Sequence, residues 1–243
     1  MIDIHCHVLP NVDDGSDSLK LSRKLLSDAK NEGIEKLLIT PHFMRLDKYR
    51  LRRKELLPLF NKLKEDTKDI GISLYLGNEL YIDSELDTLL ANREICSLND
   101  SRYVLVEFPF NEYKREYDEY LYNISLDYKI IIAHPERYKY VIENHDFVTK
   151  WTKRGYLLQC NQNSLFVKEN KKVVFDLIEK GLVSFICSDA HNLNRPLSLI
   201  DAYKLIEHKF NSEIANLLFN ENGDRVISDM ETLKLPLCKK RLF

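Results

Sequence analysis

At 243 residues and 28.7 kDa, the chain has the size of one α/β barrel or at most two small domains. Its hydrophobic content of 44% suits a well-filled core, and a formal charge of −2 with a pI near 6.4 argues against a dedicated nucleic-acid surface, which is usually strongly basic. No apolar run approaches the ~20 residues of a membrane span, the opening MIDIHCHVLP has no secretory signal pattern, and five cysteines (Cys6, Cys96, Cys160, Cys187, Cys238) form neither a CxxC pair nor an even framework, so the expectation is a cytoplasmic protein in a reducing compartment.

Residues 2–5 read as a first strand ending in His5-x-His7. Asp13-Asp14-Gly15-Ser16 follows. It is either a plain turn and helix start or a loop from which a carboxylate reaches a metal ion. A helix over 18–31 carries Leu21, Leu25, Leu26 and Ala29 on one face, with Ser16 or Asp17 as N-cap and Gly33 just past its end. A second strand, 36–40, ends in Thr40-Pro41-His42. The basic stretch 45–54 (RLDKYRLRRK) is either a solvated helix start or a pocket flank that attracts an acidic or phosphorylated partner. A helix over 54–68 presents Leu56, Leu59, Phe60 and Leu63. Strand 72–77 runs into Glu79, and strand 103–108 contains Glu107. After a helix at 117–128, strand 129–133 leads into His134. Strand 156–160, a helix at 171–180, strand 183–187 followed by Asp189-x-His191, and a helix at 197–210 complete the pattern.

No linker, repeat or low-complexity tract divides this series, so one domain over 1–243 is expected. Strand–helix alternation implies parallel strands with right-handed crossovers. A barrel fits better than an open sheet, because a barrel gathers all C-terminal strand ends on one face, whereas an open sheet spreads them along a line.

His5, His7, His42, Glu79, Glu107, His134, Asp189 and His191 all fall at such ends. Imidazole and carboxylate suit Mn²⁺, Zn²⁺ or Fe²⁺, and the lack of Cys at these positions argues against a structural zinc site. The x-spacing of His5 and His7 places both rings on one side of an extended strand. His145 and His208 lack this context and read as surface or capping residues. Arg137, just past His134, either neutralises a phosphoryl group or forms a surface ion pair with Glu136 or another acid; Arg195 is a second candidate of the same kind. Cys96-Ser-Leu-Asn-Asp-Ser-Arg102 matches the C-x5-R pattern of cysteine-dependent phosphatases. It contains no Gly and runs into a strand, so it cannot form the phosphate-wrapping loop that opens a helix.

MIDIHCHVLPNVDDGS, TPH, GNE, LNDSRYVLVEFP, IIAHPERY and SDAHNLNRP, in that order over 1–200, resemble the polymerase and histidinol phosphatase (PHP) superfamily. Within it they are most similar to the manganese-dependent tyrosine-protein phosphatases of capsule and exopolysaccharide operons, the CpsB/CapC type. The resemblance implies a distorted, roughly seven-stranded parallel βα (TIM-like) barrel holding two or three Mn²⁺ ions, with Fe²⁺, Zn²⁺, Co²⁺ or Mg²⁺ as alternatives. It implies one ion on His5, His7, Glu79 and Asp189, a second on Glu79, Glu107 and His134, and a third on Asp14, His42 and His191. Arg137 and Arg195 would meet the phosphate, and His42 or His191 would assist the leaving group. Metal-activated hydroxide would attack phosphorus in line. The implied substrate is the phosphotyrosine tail of a bacterial tyrosine kinase that controls polysaccharide synthesis, with Phe108, Pro109, Phe110 and Tyr113 either touching its ring or packing their own loop. A small-molecule phosphatase such as histidinol-phosphate phosphatase is the alternative, ahead of an amide or ester hydrolase or a non-enzymatic regulator.

Overall fold

A computed structural model describes residues 1–236; Cys238 lies outside the described residues. The continuous apolar runs form parallel strands buried on both faces: Tyr103–Glu107 is buried throughout, and Lys129–Ala133 at all but its first residue. Among the described residues there are nine strands, β1 (Ile2–Asp3), β2 (Lys36–Ile39), β3 (His42–Phe43), β4 (Ser73–Leu76), β5 (Glu79–Tyr81), β6 (Tyr103–Glu107), β7 (Lys129–Ala133), β8 (Leu157–Asn161) and β9 (Phe185–Cys187). They form two all-parallel sheets, in the orders β1-β2-β4 and β3-β5-β6-β7-β8-β9.

The expectation of seven strands in one ring therefore differs from the sheet pattern. Two short strands that were not expected, β3 and β5, follow the expected strands 36–40 and 72–77. Pro41 has no amide hydrogen to give the ladder, and it separates β2 from β3; Gly77 and Asn78 separate β4 from β5. Between β1 and β9 there is one isolated parallel bridge, Cys6 to Ala190, flanked by His7 N donating to Ala190 O at 2.8 Å and Asp189 N to His5 O at 2.9 Å.

Period-two alternation divides the apolar side chains into two cores. One contains Ile4, Leu38, Tyr103, Leu105, Ile131, Ala133, Phe185 and Cys187, and is plugged by Val226 and Ile227 from the C-terminal segment. The other contains Val104, Val106, Ile130, Ile132 and Leu158 with the apolar faces of the surrounding helices. Along β6, β8 and β9 the first face runs from apolar to polar toward the C-terminal end: Tyr103-Leu105-Glu107, Leu157-Gln159-Asn161 and Phe185-Cys187-Asp189. The lower rows make a core and the upper row a polar site.

The helix at Leu19–Asn31 buries Ser22, Leu25, Leu26 and Ala29. Its N-cap is Ser18, whose hydroxyl accepts from Leu21 N at 3.2 Å, rather than Ser16 or Asp17. Ser16 is instead buried, with its hydroxyl on Ser22 at 2.8 Å, and so ties the Asp13–Ser16 loop to the helix. Gly33 ends the helix at φ 88°, donating to Lys30 O at 3.0 Å. The other expected helices lie at Arg53–Asp66, Tyr117–Ser125, Lys168–Glu179 and Ile200–Lys209.

Candidate metal centre

The C-terminal strand ends meet over a cleft of about 730 Å³ lined by Asp14, His42, Glu79, Glu107, His134, Arg137, Asp189, His191 and Arg195 together with residues of the rim loops. His5 and His7 follow β1, and their Nε2 atoms are 3.2 Å apart, as their spacing requires. Glu79, at the start of β5, is the hub. Its Oε2 is 3.3 Å from both Nε2 atoms and 3.0 Å from His42 Nδ1, while its Oε1 is 3.0 Å from His134 Nε2. Asp189 Oδ1 lies 3.5 Å from Nε2 of His5 and of His7. Glu107 stands opposite, 3.7 Å from His42 Nδ1 and 3.5 Å from His134 Nε2. Asp14 Oδ1 is 3.4 Å from His42 Nε2 and 3.6 Å from His191 Nε2.

Eight of these residues supply atoms to three groups whose members all lie within 4.8 Å of one another: His5, His7 and Asp189; His42, Glu79 and Glu107; and His7, Asp14, His42 and His191; His134 belongs to none of them and meets the site through Glu79, 3.0 Å from its Nε2. All nine expected ligands converge. The grouping differs from the one the resemblance implies: Glu79 falls in one group instead of bridging two, His42 takes the place of His134 beside Glu79 and Glu107, and His7 and His42 are each shared between two groups.

Backbone strain helps to build this arrangement. On β7 the site-facing row is Ile131 and Ala133, and simple alternation would turn residue 134 to the opposite face. His134 instead adopts φ 30°, ψ 56°, a left-handed conformation costly for a residue with a Cβ, and its ring enters the site. Asp189 is likewise left-handed, at φ 51°. In the first loop, a Cβ on Gly15 would lie 2.1 Å from His7 O, so only glycine allows this loop to wrap His7.

The donor set suits divalent cations on its own chemistry. Glu79 Oε2 and His42 Nδ1 are buried without a hydrogen-bond partner, and an unpaired buried polar atom is costly. Nitrogen and carboxylate donors without thiolate suit divalent ions such as Mn²⁺, Zn²⁺ or Fe²⁺, and the Cys6 thiol turns away to Leu38 O at 3.4 Å.

The electrostatics agree. Burial disfavours the His5 imidazolium, but Glu79 and Asp189 outweigh it and push its pKa to about 9. His42 rises to about 12, burial being overcome by Glu79 and Asp14. Burial and the neighbouring Glu79 charge raise Glu107 to about 8, and burial lowers His134 to about 4. Glu79 itself is held well below the usual carboxylate range, because His5 and His42 outweigh its burial. Without a metal ion, protons take up the same negative field.

Several supporting residues went unnoticed in the sequence. Asp13, beside Asp14, accepts from His7 Nδ1 at 2.8 Å and from His42 N at 3.1 Å. Gln159 and Asn161 on β8 face the ligands: Gln159 Oε1 meets His5 Nδ1 at 2.8 Å, and Asn161 Nδ2 donates to Asp189 Oδ2 at 2.6 Å. Their i, i+2 spacing at a strand end, the same as in His5-x-His7, was the available signal.

Arg137 does not pair with Glu136, which is fully buried and accepts from Asn161 N at 2.7 Å. Arg137 Nη1 and Arg195 Nη2 instead both reach Asp189 Oδ2, at 3.0 and 2.5 Å, on the wall of the cleft. Phe110 lines the same wall, with the Arg137 guanidinium 4.6 Å above its ring. Phe108 and Tyr113 belong to packing, against Trp151 at 5.6 and 5.8 Å.

The basic segment serves both readings. Arg45 pairs with Asp83 at 2.7 Å and lines the cleft with Met44, Leu46 and Asp47, whereas Arg52 and Arg53 pair with Glu94 and Asp100 around the helix start. Cys96 is buried, its thiol pushed up to about 11 by burial, and Arg102 turns away to Asp229 at 3.0 Å; no phosphate loop exists there. His145 sits on the surface beside Asp176 at 3.2 Å, and His208 lies in the exposed last turn of the Ile200–Lys209 helix.

The family model described as capsular polysaccharide synthesis, CpsB/CapC, matches residues 1–228. The chain is 33% identical to the tyrosine-protein phosphatase YwqE of Bacillus subtilis, over 100% of this chain and 99% of that protein. It is 32% identical to the tyrosine-protein phosphatase CpsB of Streptococcus pneumoniae, over 94% and 99%. A solved chain, described among YwqE from Bacillus subtilis and CpsB from Streptococcus pneumoniae as unique metal-dependent tyrosine phosphatases, superposes with a TM-score of 0.91 at 32% identity, over 99% of this chain and 100% of that one. Histidinol phosphate phosphatase of Lactococcus lactis shares the fold, with a TM-score of 0.58 at 17% identity over 90% and 94%.

Proposed function

The chain belongs to the capsular polysaccharide synthesis family CpsB/CapC, and from that premise we propose that it is a metal-dependent protein-tyrosine phosphatase serving capsule or exopolysaccharide synthesis. The observation that carries this reading is the hub at Glu79, one buried carboxylate facing the imidazoles of His5, His7, His42 and His134 beneath a cleft walled by two arginines. We assign His5, His7, Asp14, His42, Glu79, Glu107, His134, Asp189 and His191 as the metal ligands, and of the Mn²⁺, Zn²⁺ and Fe²⁺ ions that such a donor set accepts we propose Mn²⁺, the ion that the family resemblance implies. Bound there, two or three such ions make water acidic enough to supply a nucleophile near neutral pH and neutralise phosphoryl charge.

The chain's own residues do the rest. Arg137 and Arg195 lie within reach of a phosphoryl group in the cleft, and guanidinium matches its oxygens bidentately. Both are held on Asp189 Oδ2, so they are positioned before substrate arrives. Phe110 offers an aromatic face at the wall, suited to the ring of phosphotyrosine. A tyrosine leaving group, with a pKa near 10, needs less proton assistance than a serine alkoxide. His42, with one nitrogen toward Glu79 and the other toward Asp14, is assigned to that side of the reaction as well as to the ligand set.

The partner we propose is the phosphotyrosine-bearing tail of a bacterial tyrosine kinase, not nucleic acid. A cytoplasmic site of action, near such a kinase at the membrane, accords with Cys6, Cys96, Cys160 and Cys187 standing as free thiols among the described residues, none of whose helices is long and apolar enough to cross a membrane. We also propose that the two sheets act as one distorted barrel and one domain. Counting β2 with β3 and β4 with β5 yields seven staves, and the Cys6–Ala190 bridge joins the first to the last.

The test is elemental analysis of freshly purified protein together with parallel assays on a phosphotyrosyl peptide and histidinol phosphate. Expected are bound Mn²⁺ and preference for the peptide. Faster turnover of histidinol phosphate, or activity that survives chelation, refutes the proposal.

A further inference from the structure

Strand β8 carries no proposed ligand within it or just beyond it, yet its site-facing row ends in two buried amides, Gln159 and Asn161. We infer that Gln159 and Asn161 form a directional hydrogen-bond relay through which ionised Asp189 sets which nitrogen of His5 is free to bind metal, making both of them positioning residues. This inference rests on the metallophosphatase reading for its consequence, but not for its geometry.

The polarity follows from the carboxylate end. An ionised carboxylate only accepts, so the Asn161 atom 2.6 Å from Asp189 Oδ2 is its NH₂ group. That leaves Asn161 Oδ1 as the acceptor 2.9 Å from Gln159, which must present its own NH₂ there. Gln159 Oε1 then points the other way. It accepts from the backbone N of His134 at 3.4 Å, a group that can only donate, and from His5 Nδ1 at 2.8 Å. An obligate acceptor at one end of the relay, the Asp189 carboxylate, and an obligate donor at the other, the His134 backbone N, thus demand the same orientation of Gln159.

His5 Nδ1 therefore carries hydrogen, and the lone pair of a neutral His5 falls on Nε2. That is the atom lying 3.3 Å from Glu79 Oε2, 3.2 Å from His7 Nε2 and 3.5 Å from Asp189 Oδ1. Asp189 acts twice: Oδ1 faces the ligand group, while Oδ2, through the relay, orients the imidazole beside it. Partners that fix a ligating histidine in this way typically change metal affinity or activity by about 10–100-fold when removed. A glutamine performs this task without adding a further negative charge to a pocket that already holds Glu79, Glu107 and Asp189. Asn161 also ties in the arginine turn, since its backbone N donates to Glu136, the neighbour of Arg137.

The experiment uses the full chain and three readouts: ¹H–¹⁵N spectra of histidine-labelled protein, Mn²⁺ affinity by chelator competition, and thermal stability of the metal-free form. Metal-free wild type, spared the line broadening that paramagnetic Mn²⁺ imposes on its ligands, should show a slowly exchanging imidazole proton on His5 Nδ1. Gln159→Met, similar in volume but with no acceptor, should lose that resonance and bind Mn²⁺ about 10–100-fold more weakly. Gln159→Glu, which keeps an acceptor, should restore the resonance, and it decides the matter if Gln159→Met does not fold. A wild type lacking the Nδ1 proton, a Gln159→Met variant that keeps it, or unchanged Mn²⁺ affinity in that variant overturns the relay. Failure of the underlying reading looks different: wild type would then bind no Mn²⁺ while the His5 resonance persists.

Discussion

Removing metal should destabilise the protein more at high pH than at low pH. In the metal-free folded chain His5 keeps its second proton up to about pH 9, whereas its ordinary value is 6.5. Between these values the folded state holds a proton that the unfolded state has released. This contribution to stability is therefore complete below 6.5 and disappears as pH rises through 9. Across two pH units, at 1.36 kcal/mol per unit, His5 alone accounts for about 3 kcal/mol. His42, raised to about 12, and Glu107, raised to about 8, slope the same way. The groups displaced downward, Glu79, Asp189 and His134, titrate below this window and do not oppose it. Bound cations reverse the trend, because ligands must shed protons to coordinate and affinity rises with pH. At 2–4 °C per kcal/mol for a chain of this size, the gap in melting temperature between Mn²⁺-loaded and chelated protein should widen by about 6–12 °C between about pH 6.5 and about pH 8.5. Thermal melts followed by circular dichroism, in anaerobic buffer with excess Mn²⁺ or chelator, measure it directly. A gap that stays constant or narrows refutes the idea that protons and cations compete for one negative field.

Glu79→Gln removes the carboxylate that faces four imidazoles, and chelator competition should show Mn²⁺ affinity down by more than about 100-fold, beyond the range for an outer partner. Arg137→Lys keeps the charge but loses the planar fork; kcat/KM for a phosphotyrosyl peptide should fall about 10–150-fold, the equivalent of one hydrogen bond to a charged group, with Mn²⁺ content unchanged. Gly15→Ala drives a methyl into the backbone of His7, so metal content measured by elemental analysis should drop although the substitution removes no ligand. Cys96→Ser should leave turnover intact, since that thiol is buried far from the ionised state a nucleophile needs; loss of activity in a folded Ser variant would reinstate cysteine chemistry.

Much of this molecule was legible from the chain alone, because local periodicity and strand-end chemistry are written in consecutive residues. The apolar runs located seven of the nine strands to within a few residues, missing the short β3 and β5, and 129–133 coincides with β7. His5-x-His7, His42, Glu79, Glu107, His134 and Asp189-x-His191 could be picked out since each follows or ends such a run. Arg137 pairs with another acid, Asp189, and not with Glu136, because three residues of 3-10 turn, Pro135–Arg137, point neighbouring side chains in different directions, Glu136 into the core and Arg137 into the cleft.

Sharing among the residues was decided in three dimensions. That Glu79 faces four histidines, that two arginines converge on one oxygen of Asp189, and that Gln159 reaches back 154 positions to His5 all depend on register and twist between strands distant in sequence. His134 makes the point most sharply: its parity on β7 sends it to the wrong face, and only a left-handed backbone, held in place by the surrounding packing, brings it into the site. Residue types and their order along the strands determined which groups would meet; the geometry of parallel pairing determined which of them each carboxylate would serve, because a distance between strands is a property of the sheet and not of any segment within it.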